Sequence, residues 1–247
     1  MNQFLIIGDV HQKVALVEQA LKREPEVDQT IFIGDYFDDF DDNAIEVEAM
    51  AHWLKESLSN PKRLHLMGNH DIHYMVPIGK LYCSGFAYWK HEIINKILTP
   101  DDWEKLLYFH SIKGKDKEYW FSHAGITKLW FEHPLKGVTV DTINYNIENA
   151  KRTLKAPTGD WDIACLYAAD RIRGGRHKKG GLLWNDWHNS EFFDNVTQIV
   201  GHTPSRKIIT STHPETNSTN INVDCHLAEV LLFNLDKDSF ESIDNSQ

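Results

Sequence analysis

Residues 4–11 read Phe4-Leu5-Ile6-Ile7-Gly8-Asp9-Val10-His11, and this stretch decides the fold. Four consecutive apolar residues make a buried strand. The glycine that ends them lets the backbone turn sharply and leaves Asp9 and His11 at the strand's carboxyl end. The same pattern recurs four times. Ile31-Phe32-Ile33 leads into Gly34-Asp35-Tyr36-Phe37-Asp38, and Leu64 to Met67 leads into Gly68-Asn69-His70-Asp71. Tyr119 to Phe121 leads into Ser122-His123-Ala124-Gly125, and Ile199-Val200 into Gly201-His202-Thr203. Open α/β sheets carry their sites at the carboxyl ends of strands, so these segments are expected to converge on one crevice.

Working outward, helical spacing fills the gaps between the early strands. Val14, Val17 and Leu21 recur with a helical period. Asp42 and Asn43 can open a second helix bearing Val47, Met50, Ala51, Trp53, Leu54 and Leu58. Such alternation implies βαβ units and a largely parallel sheet. Thr99-Pro100-Asp101-Asp102 is a helix start, and Lys113-Gly114-Lys115-Asp116 is the turn of a hairpin. From about 127 to 170 the chain reads as helical and irregular, interrupted at Pro157 and Gly159; Arg171 to Gly181 is a basic, glycine-rich loop. Short β-rich runs return at Gln198–Val200, Lys207–Thr212, Asn220–Val223 and Val230–Phe233. The expectation is one α/β domain over 1–247, with helical or irregular insertions at about 73–107 and 127–181.

Composition excludes several classes. With 247 residues, 41% of them hydrophobic and 25% charged, the chain can bury a core without disulfide staples. A net charge of −10 disfavours strong non-specific binding to nucleic acid or to an anionic membrane. Cys83, Cys165 and Cys225 lie far apart and form no CxxC pair, which points to a reducing, cytoplasmic setting and away from a thiolate metal site. No apolar run is long enough to span a bilayer, and no charged-then-apolar leader precedes Phe4, so neither a membrane segment nor a secretory signal is expected.

The groups that close the strands are carboxylates, imidazoles and one amide, without sulfur. That donor set suits hard or borderline divalent ions such as Mn²⁺, Fe or Zn²⁺, and Asp35 can bridge two of them. Two ions about 3.5–4 Å apart polarise a phosphate and generate hydroxide at neutral pH. Taken alone, Gly8–His11 and Gly34–Asp35 read as ordinary turns and Gly201-His202-Thr203 as a loop, while Gly68-Asn69-His70-Asp71 is more than a turn; the specificity lies in the ordered set.

The set resembles the calcineurin-like metallophosphoesterase superfamily, whose pattern is GDxH, GDxxD(R), GNH(E/D), H and GH. Its spacing and its GHTP form are similar to the phosphoprotein-phosphatase branch, particularly bacterial and phage serine/threonine phosphatases and symmetrical diadenosine tetraphosphatases. The resemblance implies an α/β sandwich of two mixed β-sheets flanked by helices, with a dinuclear metal site at the strand C-terminal edge. It assigns Asp9 and His11 to the first ion, Asp35 to both, and Asn69, His123 and His202 to the second. His70 is assigned as the acid that protonates the leaving oxygen, paired with Asp38. The implied cofactors are two divalent ions, Mn²⁺ foremost. The implied substrate is a phosphorylated small molecule, a nucleotide or a phosphoprotein.

Three departures mark this chain. Asp39 follows Asp38 where the family has an arginine that grips the phosphate. Asp186, after Leu182-Leu183-Trp184-Asn185, occupies a second such position. The family's NxDTG appears as Asn222-Val223-Asp224-Cys225-His226. A bidentate arginine is not replaced by a carboxylate. The basic loop from Arg171 to Lys179 offers a substitute, through Arg173 or Arg176, and a solvated loop is the competing reading. The leading functional expectation is a metal-dependent phosphatase. Its alternatives are a nucleotide pyrophosphatase or phosphodiesterase, and a binding scaffold on the same fold. The aromatic group Tyr82, Phe86, Tyr88 and Trp89 is read as packing rather than as a base-stacking platform.

Overall fold

The computed structural model describes residues 2–79, 81–155 and 164–245. Pro157 and Gly159, read above as an interruption, lie outside the described residues. In chain order, β1 (Gln3–Ile7), α1 (Val14–Leu21), β2 (Gln29–Phe32), α2 (Ala44–Ser57), β3 (Arg63–His65), α3 (Asn69–Met75), α4 (Tyr88–Ile97) and α5 (Pro100–Trp103) come first. Then follow β4 (Phe109–Lys113), β5 (Glu118–Ser122), α6 (Lys128–Phe131), α7 (Val140–Lys155) and α8 (Ala164–Tyr167). The chain closes with β6 (Val196–Val200), β7 (Ile209–His213), β8 (Ser218–Asn222), β9 (Glu229–Asn234) and β10 (Ser239–Asp244). These elements build two mixed five-stranded sheets flanked by helices.

The chain forms two compact units. The first, residues 1–107, 204–209 and 223–247, carries the sheet β10-β9-β1-β2-β3. Here β1, β2 and β3 are parallel, with Ile6 opposite Ile31, while β9 runs antiparallel to both β1 and β10. Leu5, Ile6, Ile7 and Ile31 are fully buried, as a strand covered on both faces requires. The crossovers are α1 and α2. Asn43 opens α2 with a capping box, its Oδ1 accepting from Ile45 and Glu46 amides while Glu46 accepts from the Asn43 amide. Val47, Met50, Ala51 and Leu54 make the buried stripe of that helix.

The second unit, residues 108–203 and 210–222, carries the sheet β4-β5-β6-β8-β7. The β4–β5 hairpin is antiparallel, and β5, β6 and β8 are parallel. Its turn, Gly114 to Lys117, falls one residue later than expected and is closed by the Gly114 amide on the Lys117 carbonyl at 2.9 Å.

Three local features differ from the expectations or add to them. The third strand ends at His65, not Met67, because Leu66 bridges to Leu107 and the Met67 amide donates to the Leu107 carbonyl. Gly68-Asn69-His70-Asp71, into which the strand leads, is the N-cap and first turn of α3, with Asp71 accepting from the Gly68 amide. Finally, β10 was invisible as a pattern: Ser239–Asp244 is mostly exposed, and backbone pairing to β9 holds it. Among the described residues no helix is long and apolar enough to cross a membrane.

Candidate active site

In the first unit, one ligand atom each from Asp9, His11 and Asp35 lies within 4.8 Å of the others. The loops after β1 and β2 are strapped together, since the Val10 and His11 amides both donate to the Asp35 carbonyl, at 3.0 and 2.8 Å. His11 and Asp35 adopt left-handed backbone conformations, φ 42° and 52°, that side-chain-bearing residues rarely take outside constrained sites. The loop after β3 fits against this pair only because residue 68 is glycine: a Cβ there would come within 2.3 Å of the Asp35 amide nitrogen.

Hydrogen bonds fix the donors' orientation. His11 Nδ1 donates to the Phe37 and Asp38 carbonyls, both at 3.0 Å, which leaves the lone pair on Nε2, 3.8 Å from Asp35 Oδ2. Burial lowers the pKa of His11 and favours the neutral ring a cation needs. Asp35 Oδ1 accepts from the His70 amide at 2.9 Å. Asp71 accepts from three backbone amides, Asp35 at 2.9, Tyr36 at 2.7 and Gly68 at 2.8 Å. It positions Asp35 without joining the cluster. Asp224 is buried nearby, its carboxyl pKa raised by burial and by Asp35 against the opposing pull of His11.

His70 and Asp38 form the expected pair, Nδ1 to Oδ2 at 3.0 Å. Asp38 is more heavily engaged than sequence reading suggested. Tyr74 Oη donates to Oδ1 at 2.5 Å, Lys90 Nζ lies 3.0 Å from Oδ1, and His73 Nε2 lies 2.9 Å from Oδ2. Burial alone would raise the Asp38 pKa, yet His70 and His73 hold it well below the usual carboxylate range. Burial works against charge on His70 too, but Asp35 and Asp38 keep its pKa well above that of a free imidazole. The His73 ring is raised to about 9, with burial opposing and Asp38 and Cys83 favouring its proton. Asn69 is buried beside this network and directs Nδ2 to Cys83 Sγ at 3.7 Å. Lys90, Tyr74, His73 and Cys83 escaped sequence reasoning because they arrive from α3, α4 and the segment joining them.

In the second unit, His123 follows β5 and His202 follows β6, with ring centroids 5.1 Å apart and the Gly201 amide donating to the His123 carbonyl. Arg173 is anchored beside His202. One terminal nitrogen donates to the His202 carbonyl at 2.9 Å and to Thr203 Oγ1 at 2.8 Å, while Nε lies 2.9 Å from Asp186 Oδ2. The carboxylate at 186 therefore holds a guanidinium supplied by the basic loop. The loop is itself tied down: Asp170 accepts from the Arg173 amide, and the Arg171 amide donates to the His177 carbonyl. Arg176 is exposed.

The Asp9–His11–Asp35 donor set fits a divalent cation. Two carboxylates, each 2% exposed, converge with a neutral imidazole, an arrangement that is costly out of water unless a positive ion offsets it. The family model for calcineurin-like phosphoesterases matches residues 3–206. No curated protein matches the chain. Similar solved structures include an archaeal phosphodiesterase at 13% identity, with 98% of this chain and 99% of that one covered and a TM-score of 0.41. Another is Yfce, a phosphoesterase from E. coli, at 10% identity, 99% and 100% coverage and a TM-score of 0.43. A third, a metallophosphoesterase from Sphaerobacter thermophilus, has 17% identity, 98% and 88% coverage and a TM-score of 0.45.

Proposed function

This chain belongs to the calcineurin-like phosphoesterase family and is a metallophosphoesterase; on that premise we propose that it hydrolyses phosphate monoesters with two divalent ions, Mn²⁺ foremost, in a reducing, cytoplasmic setting. The observation that carries the reading is the His70–Asp38 pair built directly onto the loop that holds Asp35. Asp9, His11 and Asp35 would serve one ion, and Asn69, His123 and His202, with Asp35, are proposed for the second. When bound, the ions supply Lewis-acid polarisation of the phosphate and an acidified water.

The chain's own residues do the rest. His70 is kept protonated by Asp35 and Asp38, with Nδ1 engaged by Asp38, so Nε2–H is the proton available to the departing oxygen. Asp38 stays ionised because His70 and His73 hold its pKa down against burial, while Tyr74 and Lys90 occupy its other oxygen. Arg173, aimed by Asp186, is proposed to grip the phosphate in place of the arginines that the family carries elsewhere. The intact acid pair argues against a mere scaffold. A phosphorylated small molecule, a nucleotide and a phosphoprotein are all compatible with this chemistry.

One observation favours a second reading, a nucleotide pyrophosphatase or phosphodiesterase. Tyr88 and Trp89 are 67% and 42% exposed at the start of the helix whose Lys90 reaches Asp38, which is where a base or aryl group could stack. Steady-state hydrolysis of an alkyl monoester, an aryl phosphodiester, a phosphopeptide and a dinucleoside tetraphosphate, each with added Mn²⁺, tests both. Turnover of the alkyl monoester or phosphopeptide supports the first reading. Exclusive turnover of the diester or tetraphosphate replaces it with the second, and no turnover of any substrate with the ions bound refutes both.

A further inference from the structure

Sequence reading counted sulfur out of the metal chemistry because no two cysteines are neighbours, but a mixed site needs only one. We propose that Asp38, His70, His73 and Cys83 form an additional metal site, separate from the Asp9–His11–Asp35 donor set and selective for a thiophilic divalent ion such as Zn²⁺. One ligand atom each from Asp38, His73 and Cys83 lies within 4.8 Å of the others. Cys83 Sγ is 3.3 Å from His73 Nδ1 and 3.6 Å from His70 Nδ1, and His70 Nδ1 is 3.0 Å from Asp38 Oδ2. A tetrahedral zinc ion with bonds of about 2.0–2.3 Å sets its donors roughly 3.3–3.6 Å apart. The sulfur–nitrogen edges already match, and the oxygen–nitrogen edge needs to open by only a few tenths of an ångström.

The setting of His73 points the same way. Its ring is fully buried, and Nε2 sits 2.9 Å from Asp38 Oδ2 without an aligned hydrogen bond. A buried ring nitrogen beside a carboxylate with which it makes no aligned hydrogen bond is a group that a cation would satisfy together with that carboxylate. Asp38 and His73 form the buried floor, while His70, 16% exposed, and the half-buried Cys83 leave a way in. Lys90 places a positive charge on the far oxygen of Asp38, and Asp42, 2.6 Å from its Nζ, offsets it. Binding displaces the thiol proton of Cys83 and the ring protons on the coordinating nitrogens, which pass to solvent. Sulfur gives the selectivity: Mn²⁺ and Mg²⁺ favour oxygen donors, whereas thiolate with imidazole favours Zn²⁺ and its softer neighbours.

The consequence for turnover rests on the reading of His70 as the acid. An ion on Nδ1 would displace the hydrogen bond by which Asp38 orients the ring towards the leaving oxygen. Zn²⁺ should therefore inhibit protein already loaded with Mn²⁺.

The experiment titrates Co²⁺ into the Mn²⁺-loaded protein and follows the sulfur-to-cobalt charge-transfer band in the near ultraviolet. The expected result is a band in the wild type that is lost in Cys83→Ser, or in Cys83→Ala should serine impair folding. In His73→Gln it should require about tenfold more Co²⁺. A wild type without the band, or a band that persists without Cys83, overturns the site. Zn²⁺ inhibition of hydrolysis is then compared between the wild type and the Cys83 variant. Relief in the variant supports the inhibitory role; equal inhibition beside a Cys83-dependent band overturns that role while the metal site stands.

Discussion

Lys90 Nζ lies 3.0 Å from Asp38 Oδ1, and the lysine that carries it is only 4% exposed. The same ammonium reaches Asp42 Oδ2 at 2.6 Å, so a single buried cation serves two carboxylates. Removing one partner of a buried pair leaves uncompensated charge behind, at about 3–5 kcal/mol. Lys90→Met, which keeps the aliphatic stem, should lower the unfolding free energy by about that amount in urea titrations. A loss under about 1 kcal/mol would mean that water already solvates this cluster.

His70→Ala should depress kcat on an alkyl phosphate by roughly 10²–10⁴ and leave bound Mn²⁺ nearly unchanged. An aryl ester, whose leaving group scarcely needs a proton, should suffer far less. Kinetics on the two esters alongside elemental analysis decide the matter. Equal losses on both would assign His70 to binding or structure instead.

Arg173 and Arg176 should separate cleanly. Arg173 is oriented by Asp186, Thr203 and the His202 carbonyl, so Arg173→Ala should cut kcat/KM by more than about tenfold, the worth of one charge-assisted hydrogen bond. Exposed Arg176 should change it by no more than about twofold on truncation. If Arg173→Ala matches the wild type, the basic loop does not touch substrate.

His65 makes stability depend on pH. It is 2% exposed, stacked on Phe32 at 4.5 Å, with Tyr36 Oη at 2.8 Å from Nδ1 and Ser57 Oγ at 3.0 Å from Nε2. Burial, then the charge of Arg63, pushes its ring down to about 3. The folded state therefore refuses a proton that the unfolded chain accepts below its ordinary value of 6.5. Stability from this residue is complete above that pH and declines as pH falls towards 3, by up to about 1.4 kcal/mol per unit. His65→Gln should flatten that part of the profile. An unchanged slope in denaturation measured across the range would exonerate His65.

The sequence displayed the fold where the signals were local. Phe4 to His11 carries its own strand, turn and candidate ligands, and so do Ile31 to Asp38; no long-range information is needed to read them. Asn43 and Glu46 likewise announce the start of α2 within four residues. What stayed hidden depends on packing between elements distant in sequence. Cys83, His73 and Lys90 meet Asp38 only once α3 and α4 are in place, and no periodicity in either helix marks those residues as special. Arg173 and Asp186 illustrate the same limit. Read separately they are a basic loop and a misplaced acid, whereas in the structure one anchors the other. The exposed, weakly patterned β10 was missed because its stability is borrowed from the backbone of β9.

Asp71 bears on how the metal arrives. Its carboxylate ties the Asp35, Tyr36 and Gly68 amides before any ion is considered, holding residue 35 in its left-handed turn from behind. Uptake of the cation then becomes a matter of shedding water from the ion rather than of ordering the chain. Loading should be fast, should absorb little conformational entropy, and should leave the amide-exchange pattern of this loop almost as it was.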